Sequence, residues 1–164
     1  MNLQQMQSLA IAAGRPNQIL IGEEFFSYSV GRPTAAVAPL GTQIGNINIQ
    51  ADSDFIIEKT TFAADVAAAT QTFNTMTVPN VNVLLVATSS GRQLMNIQLP
   101  LATLFGPAWL PFIWPKPYLL HASSTLQHTI VSFEAAISPF VTLVFHGRKL
   151  FWAPAQPAPA QPAR

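Results

Sequence analysis

Apolar and polar residues alternate with period two along much of the second half of the chain. From Thr125 onward, Leu126, His128, Ile130 and Ser132 fall on one side of an extended backbone. Gln127, Thr129, Val131 and Phe133 fall on the other, because successive strand side chains point to opposite faces. The pattern breaks at 135–139, where Pro139 has no N–H for a ladder. It resumes at Phe140, with Val141, Leu143 and Phe145 on one face and Phe140, Thr142, Val144 and His146 on the other. Gly147 offers a turn or bulge before Arg148 and Lys149, and Leu150, Phe151 and Trp152 pin the end. The two runs are rich in β-branched and aromatic residues, and read as the central hairpin of a sheet.

The same reading places strands upstream. Phe55–Phe62 is one; Val81–Thr88 (VNVLLVAT) is a strong one. Ser89-Ser90-Gly91-Arg92 is a hairpin signal that predicts Gln93–Leu99 as the partner strand. Residues 63–70 are Ala-rich and read as a bend into an alternating run at 71–78. Leu101–Leu120 breaks every pattern, because Phe105, Trp109, Phe112, Trp114 and Tyr118 are interleaved with Pro107, Pro111, Pro115 and Pro117. Proline at that density argues against a helix or a central strand, so the segment reads as a rigid apolar connection. Short strands at turn-marked intervals with one long connection predict an all-β fold: an antiparallel β-sandwich or jelly roll with an extended N-terminal arm and a Pro-rich C-terminal tail.

The predicted boundaries are 1–41 for the arm, 42–152 for the β domain and 153–164 for the tail. Within the arm, residues 1–13 have helical spacing and Gly14-Arg15-Pro16 ends it. Residues 17–45 read as irregular, their apolar words cut by Gly22, Gly31-Arg32-Pro33, Pro39 and Gly41. Phe25, Phe26 and Tyr28 would lie across the chain's own sheet or a neighbouring subunit. The tail repeats Ala-Pro-Ala-Gln-Pro, which favours polyproline II.

Composition narrows the partners. Only 9% of the 164 residues are charged and the formal net charge is +1, against ~25% charged in average domains. Duplex nucleic acid, which calls for a basic patch, is excluded as a partner. A charge-poor surface suits burial against other subunits, so a homo-oligomer is expected. The chain has no cysteine, which excludes thiol catalysis and Cys-ligated metal. No apolar run is long enough to span a membrane, and the N-terminus lacks a signal-peptide pattern; assembly in a cytoplasm is expected.

Candidate chemistry is thin. His128, Glu134 and His146 would make a metal site if the two runs faced one another, but their spacing departs from the usual short His-x-His pair. Asp52-Ser53-Asp54 resembles part of a calcium loop without the downstream Gly and Glu, and reads as a turn. No enzymatic motif is present, so no catalytic residue, metal or cofactor is expected. The Trp/Pro segment, with Phe105, Trp109, Phe112, Trp114 and Tyr118, has three readings: a plug for the sandwich, an interface anchor, or a platform for stacking sugar rings.

The order Asp52-Ser53-Asp54-Phe55-x-Ile57, then Leu104-Phe105-Gly106, Pro111 and Trp114-Pro115-x-Pro117, closing on Phe145-x-Gly147-Arg148-Lys149-Leu150, resembles small structural proteins of tailed-bacteriophage heads. The likeness covers residues 50–152. It implies a β-sandwich or jelly-roll virion protein that decorates or cements a capsid where major capsid subunits meet, without catalytic residues. The alternative is a carbohydrate- or receptor-binding β module of a phage tail or fibre.

Overall fold

The structure is a computed structural model that describes residues 10–30, 37–65, 78–135 and 139–154. The alternating run at 71–78 and the tail beyond Pro154 lie almost entirely outside them, as do residues 1–9.

Two five-stranded sheets pack face to face. The first runs β1 (Gln18–Ser29), β10 (Phe140–Pro154), β3 (Asp54–Asp65), and then β8 (Phe112–Leu120), with the short parallel β7 (Gly106–Pro107) continuing the β8 edge. The second runs β2 (Thr42–Asn48), β9 (Thr125–Ser132), β4 (Val81–Ala87), and then β5 (Arg92–Gln93) and β6 (Leu99–Pro100) on one edge. Consecutive long strands repeatedly change sheet: β1 to β2, β3 to β4, β8 to β9 and β9 to β10. That is the strand order of a jelly roll, in which Greek-key connections wind two sheets around one core.

The expected hairpin of β9 and β10 is therefore corrected. The two strands lie in opposite sheets. Their inward flanks, Leu126 and Ile130 with His128 between them on β9 and Val141, Leu143 and Phe145 on β10, meet in the core. Alternation marks a half-buried strand but does not say whether its sequence neighbour pairs beside it or faces it.

Residues 18–29, expected to be irregular, form the edge strand β1 along β10, from Gln18 opposite Pro154 to Ser29 opposite Val144. A register shift between Leu20 and Gly22 switches the inward set to Phe26 and Tyr28, which pack on the core. The Trp/Pro segment is also more ordered than expected. Leu101–Leu104 forms one helical turn, and Phe112–Leu120 pairs with β3. Its prolines are tolerated because they sit on a sheet edge at an irregularity. Tyr118 pairs with Ile57 and Ile113 with Lys59, so Trp114-Pro115-Lys116-Pro117 bulges out between them. The predicted partner strand 93–99 pairs only at its two ends. Leu94 and Met95, adjacent in sequence, both lean on the core, which a regular strand does not allow.

The core holds Phe55, Ile57, Phe62, Val83, Leu85, Phe105, Leu143 and Phe145 among others, with Phe105 edge-on to Phe145 at 5.4 Å. Gly147 is required by the backbone. The register shift between His146 and Gly147 brings β3 so close that a Cβ at 147 would lie 1.7 Å from the Ile56 carbonyl oxygen.

Candidate interaction surfaces

At one end of the sandwich a single carboxylate joins segments far apart in sequence. Asp54, at the start of β3, is 0% exposed. Its Oδ1 accepts from Arg15 Nη2 at 2.7 Å and from the Ala122 N–H at 2.7 Å. Its Oδ2 accepts from Arg15 Nε and Trp152 Nε1, both at 2.8 Å. Burial pushes this carboxyl up, but the Arg15 and Ala122 hydrogen bonds and the charges of Arg15 and His121 outweigh it and hold its pKa below the usual carboxylate range. The turn expected at Asp52-Ser53-Asp54 is present, and it delivers the chain's central electrostatic tie. Beside it, Ala12 and Ala13 stand over Leu20, Ile56, Leu150 and Trp152 and enclose a depression of about 350 Å³.

The outer face of the first sheet carries charged and polar cross-links between strands. Arg148 on β10 pairs with Glu23 on β1 and, at 2.7 Å, with Glu58 on β3. One register row further, His146 Nδ1 lies 2.8 Å from Ser27 Oγ and Nε2 lies 2.9 Å from Thr61 Oγ1. Burial and the neighbouring Lys59 charge lower the His146 pKa. His128 is on the other sheet and points inward, 2% exposed, with no hydrogen-bond partner for Nδ1 among the described residues. Burial lowers its pKa too. Gly45 opposite makes room for the ring, since a Cβ there would lie 2.5 Å from His128 Cε1. Glu134 instead accepts the Asn80 N–H at 2.8 Å. The three residues of the conceivable metal site are thus not brought together, and among the described residues no three acidic or imidazole side chains gather to hold a metal ion. No helix among them is long and apolar enough to cross a membrane.

The outer face of the second sheet is different. No Asp, Glu, Lys or Arg occurs in β2, β9 or β4. Register aligns Ile44, Thr129 and Leu84 in one row and Asn46, Gln127 and Val86 in the next. Ile44 is exposed, and β2 pairs only with β9 among the described residues, which leaves its other edge open. An uncharged face ending in an open edge is a surface that monomeric β proteins normally blunt with charge.

The predicted interface aromatics divide into three groups. Phe105 is 0% exposed and belongs to the core, so it is corrected from interface to packing. Phe26 and Tyr28 face inward, Tyr28 edge-on to Phe55 at 4.8 Å and accepting the Gln50 N–H at 3.1 Å. Phe25, 64% exposed, lies over His146 on the outer face. Trp109 is 60% exposed in the loop before β8, next to exposed Leu110 and near Ile113 in sequence. Phe112, Trp114 and Tyr118 are half-buried and form a run of aromatic contacts along β8. Trp114 and Tyr118 line a groove of about 580 Å³ between the β8 edge and the turn joining β4 to β5, where Ser89, Ser90 and Arg92 form the other side. That second wall was not foreseeable, since residues 89–92 carry only a turn signal.

Against models of known protein families and against curated proteins, the chain matches none.

Proposed function

We propose that this jelly roll is a non-enzymatic virion structural protein that decorates or cements a bacteriophage capsid through subunit–subunit contacts, with the major capsid protein or another virion protein as partner and the virion as its place of action. The observation that carries the reading is the uncharged outer face of β2, β9 and β4 with its open edge strand. Such a face gains by being covered, and adding a strand or a subunit across it satisfies the free backbone groups of β2. The jelly-roll order itself is shared by viral capsid, lectin and cupin domains, so it is compatible with the reading and does not select it.

The test is native mass by light scattering over a range of concentrations, followed by co-sedimentation with assembled phage heads. A concentration-independent oligomer, or pelleting with heads that Ile44→Lys abolishes, is the expected result. A monomer that stays in the supernatant under all conditions overturns the proposal. The second reading, a carbohydrate-binding module of a tail or fibre, is favoured by the exposed Trp109 ring. Trp fluorescence that responds to host glycans and is silenced by Trp109→Ala would select it.

A further inference from the structure

The groove between the β8 edge and the β4–β5 turn gathers polar side chains that the fold itself leaves unpaired. The chain has only 8 Lys and Arg residues. Arg15 is paired with Asp54, Arg148 with Glu23 and Glu58, and Lys149 lies beside Asp52. The Arg92 and Lys116 side chains have no hydrogen bond or ion pair among the described residues, and they line this groove from its two walls. No Asp or Glu is among the described residues that line it. The Ser89 and Tyr118 hydroxyls, also in the lining, are likewise without a partner among the described residues. Trp114 Nε1 donates to Thr60 Oγ1 at 3.4 Å, and its ring stands 6.4 Å from that of Tyr118, so the aromatic wall is in place before any ligand arrives. We propose that this groove binds a carboxylated sugar, a step that rests on the carbohydrate reading above and moves it to a site without Trp109.

Charge and shape select this class. A guanidinium receives a carboxylate through two parallel N–H donors, and the Lys116 ammonium adds a second positive charge on the facing wall. Aromatic faces carry negative charge density that attracts the weakly positive C–H groups of a sugar ring. The Ser89 and Tyr118 hydroxyls both donate and accept, as sugar hydroxyls do. Other anions match less of the groove. A nucleic-acid strand carries a phosphate at every residue and calls for a positive path, whereas this chain has a net charge of +1. An acidic peptide docks by adding a strand to a sheet edge, but Pro115 and Pro117 in the β8 bulge have no N–H to pair with it. The groove and the open β2 edge lie on opposite sides of the second sheet, so covering one does not require the other.

The full chain is titrated with fluorescently labelled hexagalacturonate and tetrasialate, and binding is followed by polarisation. Methyl-esterified hexagalacturonate keeps the sugar rings and removes the charge; cellohexaose, hexaglutamate and hexathymidylate complete the panel. At least one carboxylated sugar is expected to bind, with the ester weaker by ~10-fold or more, as charge-assisted hydrogen bonds imply. The double variant Arg92→Gln, Lys116→Gln should weaken it by a similar factor; both side chains are exposed, and an unchanged thermal melt confirms that the variant folds. Binding of neither carboxylated sugar overturns the proposal, as does binding that the double variant leaves unchanged. Hexaglutamate or hexathymidylate bound as tightly as the sugar overturns it in favour of an acidic peptide or a nucleic-acid strand. A sugar bound by the double variant but lost on Trp109→Ala, or cellohexaose bound alone, removes the groove site and leaves the carbohydrate reading standing. A chain that binds no sugar in the panel removes both.

Discussion

Replacing Asp54 by Asn keeps the shape of the side chain and removes its charge. The carboxylate now accepts four hydrogen bonds: two from Arg15, one from the Ala122 N–H and one from the Trp152 indole. Each oxygen receives two of them. An amide presents one oxygen and one NH₂, so whichever way Asn turns, two donors point at another donor. Breaking a buried charge pair on one side costs ~3–5 kcal/mol. For a chain of this size ~1 kcal/mol corresponds to ~2–4 °C in Tm, so Asp54→Asn is expected to lower Tm by ~6–20 °C. The loss has a pH signature. The folded pKa of Asp54 is lowered, so its stabilisation is fully present above the unfolded value of ~3.9 and is lost as pH falls through the folded pKa. Urea unfolding followed by Trp fluorescence at pH 7 and in steps through acid measures both effects. The gap between parent and variant should be widest near neutrality and close at low pH. A variant within ~1 kcal/mol of the parent at pH 7 would refute the reasoning, since ordinary surface changes fall within ~0.5 kcal/mol.

Gly147→Ala should destabilise by ~3 kcal/mol, the upper range for overpacking, because its Cβ meets the rigid Ile56 carbonyl rather than a side chain that can move; unfolding in urea checks it. Phe105→Ala should cost ~3–5 kcal/mol as a core truncation, whereas Trp109→Ala should change stability by no more than ~0.5 kcal/mol, and thermal melts of the two side by side test that division. His128 has a lowered folded pKa, so the unfolded state binds its proton first as pH falls. Stability should therefore decline below the ordinary value of ~6.5 until the folded pKa is reached, and His128→Gln should flatten that part of the pH profile.

The strands with strict alternation, β4, β9 and β10, were legible because each has one face in the core and one outside. β1 was not, because its register shift near Gly22 interrupts the period and two glutamates sit in mid-strand; Glu23 is accounted for only by Arg148 across the ladder. β8 was hidden by prolines that a sheet edge with a bulge accommodates. The exchange of β9 and β10 between sheets lies beyond local pattern altogether, since facing and pairing strands carry the same alternation. Among the candidate aromatics, sequence singled out Trp114 and Tyr118 and could not separate them from buried Phe105, whose ring packs on Phe145, forty residues away. Asp54 reads as one more turn residue until Arg15 and Trp152 converge on it.

Gln18 stands opposite Pro154 at the same end of one antiparallel pair, so the sandwich takes in and releases its chain at one corner. A short bridge there would close the polypeptide into a ring, which could then be reopened at the exposed Ser89–Gly91 turn without disturbing any register in either sheet. With Arg15 kept inside the bridge so that Asp54 retains its partner, such a permutant would keep the domain while leaving no free terminal segment, separating what the chain needs to fold from what it needs to join its neighbours.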